Sequence, residues 1–270
     1  MKMLRWFVVR AVTVFAVSAT TLTARAAVKV QVSALLFAER FNESADQVLL
    51  RDGAKYGPDG SGVSGQPADR CYVGEVPNFV DPASGPVALV NVLLPVRGLE
   101  EMTITCWYKP GERQALDASL FDLASMYLIA KTNGTWVLRV AATDIPKGTL
   151  YWFESGDDGP YAGWLQPNDW VFLAVVWKKS ASEVCFYQGG KSGRVQKALC
   201  KTRNVSVGAL GERGDRSQRP DVIGNTMQTK YHRPFNGSID DLRVYAKALN
   251  ETALEQIRQA DVNNELPPEF

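Results

Sequence analysis

Short runs rich in Val, Ile, Phe, Tyr, Trp and Thr recur along most of this chain, each closed off by a cluster of Gly, Pro, Asn or Asp. That rhythm predicts many strands joined by turns and leaves little room for helices, so the chain reads as all-β. The candidate strands cover residues 35–41, 71–75, 87–94, 102–109, 119–123, 126–131, 135–140, 150–154, 170–178, 183–188, 197–201, 205–208 and 237–245. The run 170–178 is apolar on both parities, with Trp170, Phe172, Ala174 and Val176 on one side and Val171, Leu173, Val175 and Trp177 on the other. It belongs in the middle of a sheet covered on both faces. Thr132-Asn133-Gly134 lies between two apolar runs, and Asn-Gly supplies the positive φ angles of a tight hairpin turn, so the flanking strands should pair. One helix is expected over 251–260, capped by Asn250, with Leu254 and Ile257 on one face. The intervals 42–67 and 208–220 are polar and rich in turn formers and read as surface loops.

Lys2, Arg5 and Arg10 precede an apolar stretch that ends in Ala24-Arg25-Ala26, the pattern of a secretory signal over 1–26. The mature chain is then expected to be exported, with one domain over 27–262, a flexible tail over 263–270 containing Pro267-Pro268, and no membrane span. Thirty Lys and Arg nearly balance 29 Asp and Glu, without a basic run. A nucleic-acid partner is therefore not expected, because a phosphate backbone needs a basic footprint. Cys71, Cys106, Cys185 and Cys200 allow three pairings, and an oxidising compartment favours bridges. Cys185 and Cys200 flank the turn 188–193, so a hairpin there would set them opposite each other, leaving Cys71 and Cys106 as the remaining pair. No Cys-x-x-Cys or Cys/His cluster suggests structural zinc.

Three segments in order resemble the laminin-G-like members of the concanavalin-A-like lectin/glucanase superfamily. The first is Met102-Thr103-Ile104-Thr105-Cys106-Trp107-Tyr108-Lys109-Pro110. The second is Asn168-Asp169-Trp170-Val171-Phe172-Leu173-Ala174-Val175-Val176 with the hairpin strand 183–189. The third and most specific runs from Phe235-Asn236-Gly237-Ser238-Ile239-Asp240-Asp241 through Leu242-Arg243-Val244-Tyr245 to Leu249. The resemblance implies a jelly roll of two antiparallel sheets, in which the last long strand lies beside the first. This agrees with the alternation, which gives each sheet an apolar face to bury.

Glucanases on this sandwich carry E-x-D-x-x-E on one strand, which would bring a nucleophile and an acid/base together for a retaining mechanism. No Glu here has an Asp two positions later. His232 is the single histidine and has no nucleophile elbow to serve. A catalytic role is therefore not expected, although carboxylates from separate strands could still converge.

Two ligands remain. Several relatives hold a structural calcium ion beside the last long strand, and the resemblance assigns that role to Asp240, with Asp241 next to it; the alternative is an ion pair with Arg243. Carbohydrate is the other candidate, because an aromatic face stacks on a sugar while flanking polar groups take its hydroxyls. The segment 150–164 combines rings with acids, and Trp152, Glu154, Asp157, Asp158, Tyr161 and Trp164 are its candidate ligand-binding residues. Trp152 and Phe153 are consecutive, so one of them should face the core. Asn42, Asn133, Asn204, Asn236 and Asn250 begin N-x-S/T sequons. The expected function is an exported, non-catalytic recognition or adhesion module for a glycan or cell-surface polymer. A hydrolase or lyase with converging carboxylates and a purely structural domain are the alternatives.

Overall fold

The computed structural model describes residues 34–41, 48–58, 70–76, 85–92, 94–114, 117–123, 126–131, 135–146, 150–154, 169–204, 207–211, 221–226 and 233–270. They form two antiparallel sheets and one helix. In the first sheet the strands run, in spatial order, β13 (Gln196–Thr202), β12 (Glu183–Gly190), β11 (Val171–Lys178), β6 (Glu101–Pro110), β15 (Gly237–Tyr245), β4 (Arg70–Gly74) and β3 (Lys55–Pro58). The same side of β15 that meets β4 also takes β1 (Leu35–Glu39), with Leu35 opposite Tyr245. The expected juxtaposition of first and last strands is thus present. The second sheet runs β10 (Tyr151–Glu154), β9 (Trp136–Val140), β8 (Met126–Ala130), β7 (Ala118–Leu123), β14 (Val222–Ile223), β5 (Val87–Val90) and β2 (Val48–Arg51).

Strand β11 shows how the sequence builds the layers. Its neighbours are β6 and β12, and its two parities enter two different cores. Val171, Leu173, Val175 and Trp177 pack between the sheets with Tyr108, Leu128, Trp136 and Leu138. Phe172, Ala174 and Val176, with Trp170 just before them, pack on the outer face of the first sheet. That outer face is covered by α1 (Glu251–Asn263), which sets Ala253, Leu254 and Ile257 against it. Asn250 caps the helix by accepting from the Ala253 N–H at 2.9 Å, and Asn264 ends it in a left-handed conformation.

A bulge in β15 between Asp240 and Arg243, with Asp241 at φ 45°, lets Arg243 reach the helix while Ile239, Leu242 and Val244 stay between the sheets. Arg243 donates to both carboxylate oxygens of Asp261 on α1 (2.7 and 3.1 Å) and to Asp241 (2.8 Å). The Trp107 indole N–H completes Asp261 at 2.9 Å, and Arg40 pairs with Asp241 at 3.1 Å. This network is almost wholly buried and joins β1, β6, β15 and α1.

Four expectations need correction. The interval 42–67 is not all loop: β2 and β3 lie in it, joined by a turn at Asp52-Gly53, where both residues have positive φ and Ala54 N–H reaches the Arg51 carbonyl. The turn carries the chain from one sheet to the other, where β2 pairs with the sequence-distant β5 and β3 pairs with the next strand, β4. Strand β14 is two residues long, too short to show a period. Val207 and Gly208, expected at the end of a strand, are not in one. The tail 263–270 is anchored: the helix runs to Asn263, the Phe270 ring stands edge-on to Tyr245 at 6.1 Å, and its carbonyl accepts from Ala34 N–H. One aromatic residue supplies enough apolar surface to hold a polar segment. The signal 1–26 lies outside the described residues.

Candidate functional site

The expected ligand-binding segment is described only at its start. Asp157, Asp158, Tyr161 and Trp164 lie outside the described residues, as does His232. Strand β10 resolves the Trp152/Phe153 alternation: Phe153 turns inward, its ring 5.9 Å from Trp177, and Trp152 turns outward and is 50% exposed. Trp152 does not swing free. It stands opposite Arg139 of β9, whose guanidinium lies 3.7 Å from the ring centroid and covers one face. Arg139 also lies 5.3 Å from the Tyr127 ring on β8. Trp152, Arg139, Tyr127 and Asp122 thus form a transverse row across the outward face of the second sheet. Burial pushes the Tyr127 hydroxyl above its ordinary pKa and the Arg139 guanidinium below its own.

Two further contacts orient β10. The Tyr151 hydroxyl donates to Asp144 at 2.8 Å, a bond that holds its pKa up, and the Arg203 guanidinium lies 4.8 Å from the Tyr151 ring. Arg203 also donates to the Trp152 carbonyl, tying the end of β13 to β10. On one side of Arg203 lies a cleft of about 470 Å³ lined by Glu100 and the turn Lys179–Ser182, and on the other the edge strands of the two sheets converge on one of about 460 Å³. The second cleft is lined by Trp152, Glu154, Lys201, Thr202, Arg203 and Asn204. Glu154 is its single carboxylate among the described residues, and Lys131 pairs with it at 3.2 Å. A half-exposed ring among amide, hydroxyl and cationic donors can stack on a ligand and bond to its oxygens. Glycosidic cleavage needs a second carboxyl group.

Arg139, Lys201, Arg203 and Asn204 were not among the expected site residues. Arg139 had a signal, because an arginine within the apolar run Val137-Leu138-Arg139-Val140 marks the outward parity. The others enter the site only because β13 and β10 end side by side.

Cys185 and Cys200 are directly opposite in β12 and β13 and form the expected disulfide. Cys71 and Cys106 are not bridged. Cys71 belongs to the core under α1 and Cys106 to the core between the sheets, so their thiols point to opposite faces. In the pair assigned to calcium, Asp240 accepts from the Asp241 N–H through Oδ1 at 2.7 Å, and Oδ1 of Asp241 is held between Arg40 and Arg243. A divalent ion on Asp241 would face two guanidiniums, so this carboxylate does not fit a calcium ligand. Among the described residues one group of three potential metal ligands gathers, Glu183, Cys185 and Cys200, and its two sulfurs are spent on the disulfide.

Two layers of antiparallel strands with the first strand on the last define a jelly-roll sandwich, and the comparisons agree. A family model described as the Concanavalin A-like lectin/glucanases superfamily matches residues 81–255, and the chain belongs to that family. Among solved structures, it is similar to the binding domain of Paraclostridial Mosquitocidal Protein 1 at TM-score 0.54 and 13% identity, covering 86% of this chain and 55% of that one. It is also similar to the binding domain of Botulinum neurotoxin DC in complex with rat synaptotagmin II, at TM-score 0.55 and 10% identity, covering 84% and 52%. The same domain in complex with SialylT gives TM-score 0.53 and 9% identity, with the same coverage. The chain thus spans about half the length of these toxin domains. No curated protein matches it in sequence.

Proposed function

We propose that this protein is an exported, non-catalytic module that binds carbohydrate in the cleft between β10 and β13. The observation that carries the reading is Trp152, half exposed, backed by Arg139 and set beside Glu154, Lys201, Arg203 and Asn204. Large aromatic side chains are normally buried, so a half-exposed ring held by a cation is a platform for a ligand's apolar face. Binding rather than cleavage is favoured because the described part of the cleft has one carboxylate, already paired. The solved domains of similar fold include one in complex with a sialyl ligand, which supports the carbohydrate class. The Cys185–Cys200 bridge and the N-terminal signal pattern support an oxidising, exported destination.

The test is a glycan array read together with a hydrolysis screen on the same glycans. Retention of at least one glycan, lost in Trp152→Ala without a matching loss of melting temperature, is the expected result. Release of cleaved product by the wild type would assign the protein to the enzymes instead. Binding unchanged in Trp152→Ala would remove the site.

A further inference from the structure

We infer that the saccharide recognised here is acidic and lies along the free edge of β13, from the Trp152 cleft to a second cleft at the other end of the strand. The inference rests on the carbohydrate-binding reading and adds to it the charge and path of the ligand.

The charge is local. In a chain with 30 basic and 29 acidic residues, the stretch 191–203 holds Lys191, Arg194, Lys197, Lys201 and Arg203 and no acid. Among the described residues β13 is the last strand of its sheet, so the side chains on it and just before it flank an edge that no described strand covers. Among the described residues none of Arg194, Lys197, Lys201 and Arg203 is spent on a carboxylate. Lys197 lies 5.9 Å from the Tyr187 ring, and Arg203 meets the Tyr151 ring and the Trp152 carbonyl.

Lysines on an edge strand also prevent edge-to-edge pairing, and that role alone requires no cleft. At the start of β13, however, a cleft of about 650 Å³ opens, lined by Trp170, Gln188, Lys191, Arg194, Gln196 and Lys197, with Asp169 its one carboxylate. Gln188 and Gln196 stand opposite each other in the sheet and offer paired amides to ring hydroxyls. Trp170 is 6% exposed, its indole N–H is buried without an acceptor, and the Lys109 ammonium lies 5.3 Å from its ring. From Lys197 to Arg203 the strand spans about 20 Å, with Lys197 on the face of Tyr187 and Lys201 on the face of Val184, so cationic side chains flank the edge from both faces, a track between the two clefts. The opposite edge differs, because Lys55 of β3 is paired with Glu75 at 2.7 Å.

The test uses three polymers with one backbone: dextran, carboxymethyl-dextran and dextran sulfate, each in lengths shorter and longer than the track. Both acidic polymers should bind more tightly than dextran by at least about tenfold, the longer ones best, with affinity falling as salt rises. Arg194→Gln combined with Lys197→Gln should weaken the long acidic polymers about tenfold while leaving the short ones on the Trp152 cleft. The control Arg51→Gln with Lys55→Gln, on the far edge, should change nothing. A preference for one acidic polymer separates carboxylate from sulfate recognition. Equal binding of neutral and acidic chains, or equal losses in the track and control variants, overturns the inference but leaves the carbohydrate reading standing. Failure to bind any saccharide, on these polymers and the array, overturns both.

Discussion

Arg243 of the last strand and Asp261 of the helix meet through two parallel N–H···O bonds of 2.7 and 3.1 Å, both side chains almost fully buried. The pair clamps the helix to the outer face of the sheet. Because Asp241 shares the same guanidinium, removing it leaves one buried carboxylate with only Arg40 and another with only an indole N–H. Arg243→Met is expected to cost about 3–5 kcal/mol, read as a fall in the denaturation midpoint. A loss below about 1 kcal/mol would mean that apolar packing alone docks the helix.

The helix carries two carboxyl groups with opposite pH dependence. Glu255 takes N–H donors from Arg258, Gln259 and the Val195 backbone, and these, the Arg258 bond foremost, hold its pKa down at about 2. A depressed carboxyl stabilises the native state above its unfolded value of about 4.5, and that contribution, of roughly 3 kcal/mol, disappears as pH falls towards 2. Burial instead pushes Asp261 up to about 7, outweighing the Arg243 pairing. The native state then keeps a proton that the unfolded chain has released, so its contribution grows as pH falls from about 7 towards 4 and is lost above 7. Unfolding curves of Glu255→Gln and Asp261→Asn against the wild type should therefore diverge with opposite slopes. Parallel profiles would refute the assignment.

Joining strands 15 residues apart, the Cys185–Cys200 bridge removes freedom from the unfolded chain. Replacing both cysteines by serine should cost about 3 kcal/mol. Reductant should lower the wild-type melting temperature towards that of the variant and leave the variant unmoved, since its buried thiols Cys71 and Cys106 have no bond to lose.

Arg139 positions Trp152 by stacking on it. Arg139→Gln should weaken glycan binding about two- to fivefold, the size of an exposed cation–π contact, while stability changes by less than about 1 kcal/mol. A loss of affinity as large as that of Trp152→Ala would show that the guanidinium itself contacts the ligand.

The arginine network already ties the first strand, the last strand and the helix together beside the residues to which the resemblance assigned a structural calcium ion, Asp240 and Asp241. Chelator should leave the melting temperature unchanged. A clear fall would demonstrate a stabilising ion, because a ligand that binds only the native state raises its stability by mass action.

Most of the architecture was legible where a segment's own pattern sufficed. The two apolar parities of 170–178, the capping Asn250 and the cysteines flanking 188–193 each act within a few residues, and all are present in the structure. Strands β2, β3 and β14 were not legible, because each is short, and β2 and β14 are held by partners far away in sequence. Of the candidate site, Trp152 and Glu154 could be picked out by chemistry. Arg139 showed only its outward parity, and its place behind the ring, like that of Lys201 and Arg203 beside it, depended on strand pairing.

By itself the sequence determined the all-β class, the layer to which each parity of a strand belongs, the disulfide hairpin and the aromatic segment. Tertiary structure alone decided that Cys71 and Cys106 face apart, that Asp241 is spent on arginines, and that β13 runs beside β10 to make a cationic edge. The reason is range: alternation and capping depend on neighbours along the chain, whereas charge pairing and cleft formation depend on which strands the register brings together.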